Sequence, residues 1–404
     1  MAVGGMVGGG IFSTLGVVVA IAGQWAWLSF VCAGLVALGA GYSYVRLAVH
    51  YREGGGAFTF LREINAKGLA GSLSWILLAG YVLTNAVYAF TFGQYLAHVL
   101  ELGQWVARFS AVAIMALFIG VNLRGVGEAG AVEVFLVWFK LTVLVALAGW
   151  GLAQWDTGML SRGAPDAGPV LALFGAASVF MAYEGFQLLT YDYEDIRTPD
   201  HTLPRAVLSS IVVVIGVYVM VALGTTMLIG ADQVIEHEEV ALAIAGEEAM
   251  GLAGLVIVTI GAAFSTGSAI NSTLFATARL THKVAKDGEL PGFLAQRNDA
   301  GVPGKAVVVL GALAAVLAAT GTLGRLVEAA SLAFLFTFTA VCALAFMCRA
   351  GSRVITGAST IVALAATVAL IIRLLWHDPL PLALLAGLAA IAVFGRPVLL
   401  RHLR

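Results

Sequence analysis

Apolar runs of about 18–24 residues follow one another along almost the whole chain, and each is long enough to cross about 30 Å of hydrocarbon as a helix. The chain is 60% hydrophobic and 11% charged over 404 residues, whereas a soluble domain of this size has about a quarter charged residues. The sequence therefore predicts an all-α polytopic membrane protein with about twelve transmembrane helices. In approximate order the runs cover residues 1–22, 25–46, 69–100, 104–122, 130–154, 168–193, 205–229, 250–280, 304–322, 326–348, 354–375 and 380–399.

Basic residues are distributed unevenly between the two sides of the membrane that these spans define. With the N-terminus inside, only Arg108, Arg162, Arg325 and Arg373 of the 22 lysines and arginines fall outside, Lys140 lies within a span, and the others fall inside. Lysine and arginine are enriched on the cytoplasmic side, so we expect a multi-pass protein of the cytoplasmic membrane with both termini inside. The tryptophans that then gather near the outer interface, as in an aromatic belt, are Trp25, Trp27, Trp105, Trp150, Trp155 and Trp376.

Breaks that contain glycine interrupt the first and the sixth of these runs. The first break contains Gly8, Gly9 and Gly10, and the second has the sequence AYEGF at residues 182–186. Glycine lowers helix stability by roughly 1 kcal/mol relative to alanine, and an unwound backbone persists in lipid only where it lines a polar cavity or is buried. A matched pair of broken helices points to a substrate site at the midplane of a secondary transporter. We predict a 5+5 inverted repeat with discontinuous helices 1 and 6, comprising residues 1–155 and 165–348, followed by two accessory helices in 352–404.

The two breaks offer complementary groups to a small zwitterion. Unwinding near Gly10 frees amide N–H groups at the positive end of a half-helix, which favours a carboxylate. The second break frees carbonyl groups near Met181, which accept hydrogen bonds from an ammonium. Tyr183 and Phe186 flank Glu184 and are candidate gates that close over a substrate. The alternative is that the glycines serve close helix packing and that the two aromatic residues also serve packing alone. The candidate substrate-binding residues are Val7, Gly8, Gly9, Gly10, Ile11, Phe180, Met181, Tyr183, Glu184 and Phe186.

Lys140 lies near the middle of the fifth run. The nearer end of the run is about ten residues away, or roughly 15 Å at helical rise, which is too far for the side chain to reach water. A midplane charge costs at least about 2.5 kcal/mol, so such residues normally face a cavity and have a partner. Burial also favours loss of the proton. We interpret Lys140 as a coupling residue, with a structural lysine that donates to a neighbouring span as the alternative.

Glu184 is the acidic residue within a predicted break, and its role stays open. Four interpretations are open: Glu184 holds a proton, pairs with Lys140, contacts a substrate ammonium, or bonds to the unwound backbone. Ser265 and Thr266 in the eighth run place hydroxyl groups at a depth where an ammonium or cation binds. Hydroxyl groups in helices also bond to their own backbone, and this alternative is equally open. The candidate coupling residues are thus Lys140, Glu184, Ser265 and Thr266.

Other classes of function find less support in the sequence. The segment EGGGAF at residues 53–58 lacks the Gly-Lys-Ser/Thr of a phosphate-binding loop and is interpreted as the start of a short interfacial helix. Cys32, Cys342 and Cys348 lack the spacing of a metal site. An intramembrane enzyme needs a nucleophile–base arrangement and a channel needs repeated filter segments, and neither is visible. We expect the bilayer, a small-molecule substrate and protons as partners, with no cofactor, metal or nucleic acid.

Six motifs in order along the chain resemble the amino acid–polyamine–organocation transporter superfamily, near the bacterial and archaeal amino acid permeases. They are VGGGIF at 7–12, EGGGAF at 53–58, NLRGV at 122–126, AYEGF at 182–186, EDIRTP at 194–199 with LPR at 203–205, and ATAR at 276–279 with DGELP at 287–291. The resemblance covers nearly all of residues 1–350. It implies a leucine-transporter type fold, import of amino acids, and substrate contacts at Gly8 to Ile11 and at residues 180–186.

The resemblance also indicates which ion is coupled to transport. In proton-coupled members a lysine of span 5 stands where sodium-coupled relatives bind an ion between spans 1 and 8, and Lys140 matches this lysine. We therefore expect proton-coupled symport by alternating access, with an amino acid/polyamine antiporter as the alternative and an ion channel as a less favoured one. Relatives have a longer inner half-helix before the first break, so either the start is misassigned or the inner half-helix is truncated. We expect an in-frame extension upstream of Met1. Many relatives carry an acid where this chain has Gln187, and Glu184 is the candidate replacement.

Overall fold

The computed structural model of the protein describes residues 2–54, 56–63, 67–125, 130–165 and 168–395, and within these ranges every regular element is a helix. Among them are 8 helical stretches long and apolar enough to cross a membrane, the first of which, Val3–Tyr51, contains two spans. Two shorter apolar helices and the broken sixth segment complete the predicted number of spans. The predicted all-α polytopic architecture is confirmed, while residues 396–404, with the predicted C-terminus, lie outside the described ranges.

Spans are numbered here in chain order. Spans 1 to 5 are Ala2–Ala22, Ala26–Tyr51, Lys67–Val99, Gln104–Leu123 and Gly130–Ala153. Span 6 consists of the α-helix Leu171–Ser178 followed by the 3-10 segments Phe180–Tyr183 and Phe186–Asp195. Spans 7 to 12 are Pro199–Glu236, Leu252–Lys286, Gly304–Thr320, Leu323–Met347, Arg353–His377 and Leu380–Ala390, the last continued by a π-helical turn, Ile391–Gly395. Shorter helices are Gly56–Glu63, Thr157–Ser161, Ala241–Met250 and the 3-10 turns Gly23–Trp25 and Gly292–Ala295.

The helix Gly56–Glu63 confirms the interpretation of the glycine-rich segment after span 2 as a short helix. Gly55 lies outside the described residues. Large apolar and aromatic side chains remain exposed on the outer surface of the bundle, among them Trp105 at the start of span 4 and Trp376 at the end of span 11. Alternation of the spans puts both tryptophans on the same side of the membrane, as an aromatic belt requires.

Helix contacts follow a paired pattern. Span 1 packs against span 7, and span 6 against span 2; span 3 packs against span 10, and span 8 against span 5. Spans 2 and 7, 3 and 8, and 4 and 9 also contact each other directly. If spans 1 to 5 are matched in order with spans 6 to 10, each of these contacts in one half has a counterpart in the other half. The inverted repeat stays a prediction, and this pairing supports it.

The two predicted breaks have different outcomes. Span 6 loses α-helical geometry after Ser178, as predicted. Span 1 is one continuous α-helix from Ala2 to Ala22, so the predicted discontinuity at Gly8 to Gly10 is wrong in this structure. The reason lies in how closely this helix contacts its neighbours.

Candidate functional site

Gly8 and Gly9 of span 1 fit against two neighbouring spans instead of unwinding. A Cβ atom at Gly8 would lie 2.7 Å from the Cβ of Ala269 on span 8. A Cβ at Gly9 would enter the ring of Tyr88 on span 3. Small residues allow membrane helices to approach this closely while each keeps its own backbone hydrogen bonds. The packing alternative therefore accounts for these glycines in this structure.

Tyr218 of span 7 joins spans 1 and 6. Its hydroxyl lies 2.6 Å from the carbonyl oxygen of Met6 and 2.8 Å from that of Ala182, so one O–H group is shared between two acceptors. A Cβ at Gly10 would collide with this hydroxyl and lie 2.7 Å from the Ala182 oxygen. Glycine at position 10 is thus required for the contact between the two spans.

The break in span 6 is centred on Gly185. Glu184 has extended backbone angles, and Gly185 has a φ of 126°. Residues other than glycine rarely adopt this backbone conformation. A Cβ at Gly185 would also lie 2.9 Å from the backbone nitrogen of Met6. Conformation and space both require glycine here, and the chain resumes as the 3-10 segment Phe186–Asp195.

Ser331 of span 10 satisfies backbone groups that the break exposes. Its hydroxyl donates to the carbonyl oxygen of Ser178 at 2.6 Å and accepts from the N–H of Met181 at 3.0 Å. The end of an α-helix leaves such groups without helical partners. A buried polar group without a partner costs about 1–3 kcal/mol, so one hydroxyl stabilises both sides of the interruption.

Glu184 belongs to a polar network within the break. Its carboxylate accepts a hydrogen bond of 3.0 Å from Nε2 of Gln187, whose Oε1 accepts from the N–H of Gly185 at 3.0 Å. Nε2 of Gln187 also lies 3.2 Å from the hydroxyl of Tyr81, which is 2.7 Å from that of Tyr191. Gln187 thus holds the carboxylate beside the irregular backbone and connects it to span 3.

Lys140 and Ser265 both reach span 1. The ammonium nitrogen of Lys140 donates to the carbonyl oxygen of Gly4 at 2.7 Å, and the hydroxyl of Ser265 donates to that of Val7 at 2.8 Å. Spans 5 and 8 are therefore bonded to adjacent turns of span 1. Thr266 donates to the Ala262 carbonyl of its own helix at 2.7 Å. This is the alternative interpretation, in which a hydroxyl group bonds to the backbone of its own helix.

All of the predicted site residues are buried in this structure. Tyr183 donates from its hydroxyl to the carbonyl oxygen of Phe30 at 2.7 Å. The ring of Phe186 packs against Tyr44 and Phe338, with centroids 6.1 Å and 5.4 Å apart. These aromatic side chains separate the break from solvent. Side chains that are at most 2% exposed are those of Val7, Ile11, Lys140, Phe180, Met181, Tyr183, Glu184, Phe186, Ser265 and Thr266.

Comparison with known proteins assigns this architecture to a family. Residues 1–397 match the family described as amino acid permease. The chain belongs to the amino acid permease family. The permease is 33% identical over 303 residues to the uncharacterized protein MJ0609 of Methanocaldococcus jannaschii, covering 74% of this chain and 69% of that protein.

Two further relatives carry names that describe transport. The inner membrane transport protein YbaT of Escherichia coli is 30% identical, with 86% of the permease and 81% of the relative aligned. The chloroplastic cationic amino acid transporter 7 of Arabidopsis thaliana is 26% identical, with 84% of the permease and 62% of that protein aligned. The permease is an amino acid transporter of the amino acid–polyamine–organocation superfamily and not an enzyme.

Ion pairs connect segments of the permease on both predicted sides of the membrane. On the side predicted to be cytoplasmic, Lys283 of span 8 contacts Glu53 at 3.0 Å, and Arg62 contacts Asp287 at 2.7 Å. These pairs connect the segment after span 2 to the end of span 8.

An ion pair reaches the break from the other side. Arg373 of span 11 donates to the carboxylate of Glu328 on span 10 at 2.8 Å, and the same oxygen accepts from the hydroxyl of Ser178 at 3.0 Å. The accessory span 11 is thereby connected to the last α-helical residue before the interruption.

Sequence reasoning assigned no structural role to four residues that organise this region: Tyr88, Gln187, Tyr218 and Ser331. Tyr218 is a lone aromatic in an aliphatic run, which is a visible signal for a buried hydrogen bond. Gln187 stood out only as a departure from the family pattern. Ser331 lies among alanines on span 10, and nothing local distinguishes it from a packing residue.

Proposed function

We propose that the permease imports an amino acid together with protons by alternating access. The observation that carries this proposal is the fully buried ammonium of Lys140 bonded to the Gly4 carbonyl. A protonated amine interacts strongly with a carbonyl dipole in a low-dielectric interior, and a neutral amine much more weakly. Protonation of Lys140 therefore controls the contact between spans 5 and 1, and span 1 is the helix that faces the break.

The proposed substrate site lies where span 1 faces the break of span 6. The carbonyl oxygens of Met6 and Ala182, which accept from Tyr218 in the closed structure, suit a substrate ammonium. The amide groups of Gly8 to Ile11 lie within a continuous helix, so they bind a carboxylate only after span 1 opens locally. Three adjacent glycines make this opening less costly. Substrate binding in this proposal unwinds the helix that packs closely when the site is closed.

Side-chain selectivity in this proposal comes from the span 6 segment. Phe180, Met181, Tyr183 and Phe186 surround the break and favour a neutral or small amino acid over a charged one. Glu184 supplies a second proton site or orients the ammonium through Gln187. The uneven distribution of basic residues supports insertion in the cytoplasmic membrane with both termini inside.

Uptake into proteoliposomes tests the transport mode. Purified permease is reconstituted, and accumulation of labelled amino acids is measured with an inward proton gradient, without a gradient, and with a protonophore. Symport predicts accumulation above the external concentration only with the gradient. Equal uptake in all three conditions, with stimulation by preloaded amino acid or polyamine, would indicate an exchanger instead.

A further inference from the structure

A cleft of about 470 Å³ lies between spans 4 and 9, on the side that the basic residues mark as cytoplasmic. Its apolar wall contains Leu123 at the end of span 4 and Val308 and Val309 on the first turns of span 9. The two valines are 43% and 37% exposed, so they face the lipid. The cleft is therefore open to the edge of the bilayer and lies apart from the break in span 6.

Two cations, Arg297 and Lys305, line the polar half of this cleft, and no lining residue is a carboxylate. Lys305 donates to Oε1 of Gln296 at 2.6 Å, which leaves further ammonium donors available. Within the part of the chain that the structure describes, neither cation forms an ion pair. Asp299, the nearest acid in the sequence, is exposed and does not line the cleft. Both cations are exposed, so they are accessible to an anion from outside the chain.

We infer that this cleft binds the headgroup of an anionic phospholipid from the adjacent leaflet. The phosphodiester lies against Arg297 and Lys305, and the acyl chains follow Val308 and Val309 into the hydrocarbon. Basic pockets between transmembrane helices on the cytoplasmic side are suited to such headgroups. A soluble anion would contact the two cations alone, whereas a lipid contacts the cations with its headgroup and the apolar wall with its acyl chains. The inference depends on membrane insertion and not on the coupling ion.

The cleft is built from segments that a bound lipid would hold together. Asn298 donates from Nδ2 to the carbonyl oxygen of Leu123 at 2.8 Å and accepts from the N–H groups of Ala300 and Val302. The adjoining turn Gly292–Ala295 packs against spans 8 and 9. Occupancy of the cleft therefore stabilises the arrangement of spans 4, 8 and 9, and the lipid acts as a stabilising ligand.

The test compares three proteins in defined lipid: the natural permease, the double variant Arg297→Gln/Lys305→Gln, and Arg353→Gln. Arg353 is a matched control because it is an exposed cation at the same predicted side of the membrane, on span 11, and stacks on Phe346 away from the cleft. Native mass spectrometry measures retention of phosphatidylglycerol against phosphatidylcholine, and thermal melts with each lipid give an independent readout.

The natural permease and Arg353→Gln are expected to retain phosphatidylglycerol preferentially and to melt at higher temperature as it is added. The double variant is expected to bind it about twenty-fivefold more weakly, since each basic residue contributes about a fivefold factor. Equal retention by the double variant would overturn the inference. Displacement of the lipid by millimolar inorganic phosphate would show a soluble-anion site instead. If the double variant does not purify, Lys305→Gln alone is expected to weaken binding about fivefold, and unchanged binding would again overturn it.

Discussion

The ammonium nitrogen of Lys140 lies 2.7 Å from the carbonyl oxygen of Gly4, although 136 residues separate them in the sequence. Gly4 is in the first turns of span 1, one turn before the carbonyl that Ser265 binds. The three glycines that follow allow span 1 to contact spans 3, 6, 7 and 8 closely. In the proposed mechanism, a change in the charge of Lys140 would alter this contact with span 1, which forms one wall of the proposed substrate site.

Replacement of Lys140 by methionine tests this relationship. The variant keeps a long apolar side chain and removes the exchangeable proton, so accumulation driven by a proton gradient is expected to disappear. Exchange of labelled for unlabelled amino acid, which needs no net proton movement, is expected to continue. Thr142→Val is the control on the same span, since Thr142 is exposed and bonds to Trp138 of its own helix. Gradient-driven accumulation by Lys140→Met equal to that of the control would contradict the coupling role.

Alanine at Gly10 tests the close contact of spans 1, 6 and 7. The added methyl group would collide with the Tyr218 hydroxyl and the Ala182 carbonyl, and overpacking of this kind costs about 1–3 kcal/mol. The matched control is Gly149→Ala in span 5, because no atom lies within 4 Å of a Cβ there. That substitution is expected to be neutral or to stabilise by up to about 1 kcal/mol. Thermal melts of both variants in one detergent measure the difference, and equal melting temperatures would refute the packing argument.

Removal of the Ser331 hydroxyl is expected to destabilise the break of span 6. Ser331→Ala leaves the Ser178 carbonyl and the Met181 N–H without this partner, at a cost of about 1–3 kcal/mol. Ser272→Ala is the control, because that hydroxyl bonds to the Ser268 carbonyl of its own helix. Hydrogen exchange at residues near 178–182 should accelerate in Ser331→Ala alone, and identical exchange in the two variants would show that the hydroxyl is dispensable.

Stability of the loop between spans 7 and 8 is expected to depend on pH through Glu239. Burial, with a smaller contribution from Glu238, raises the pKa of Glu239 to about 7 from its ordinary value of 4.5. The folded carboxyl keeps a proton that the unfolded chain releases, so its contribution to stability is complete below pH 4.5 and is lost as the pH rises through about 7. The Glu239→Gln variant should therefore show a smaller fall in melting temperature over this range. An unchanged pH profile would contradict the raised pKa.

Much of the fold could be predicted from apolar runs, because the bilayer requires continuous helices of fixed length. The break in span 6 was also predictable, since Gly185 adopts a conformation that only glycine tolerates easily. Span 1 was not. Consecutive glycines permit both unwinding and close packing, and the choice depends on Tyr88, Ala182, Tyr218 and Ala269, which come from four other spans. Local sequence carries no information about these distant partners.

The most direct measurement of the central claim follows proton entry and amino acid entry in the same vesicles. Proteoliposomes that contain the permease and a pH-sensitive dye receive a transported amino acid without any imposed gradient. The account predicts acidification of the lumen that depends on the amino acid and is absent with Lys140→Met. Amino acid uptake at the full rate with no change in internal pH would contradict proton-coupled import.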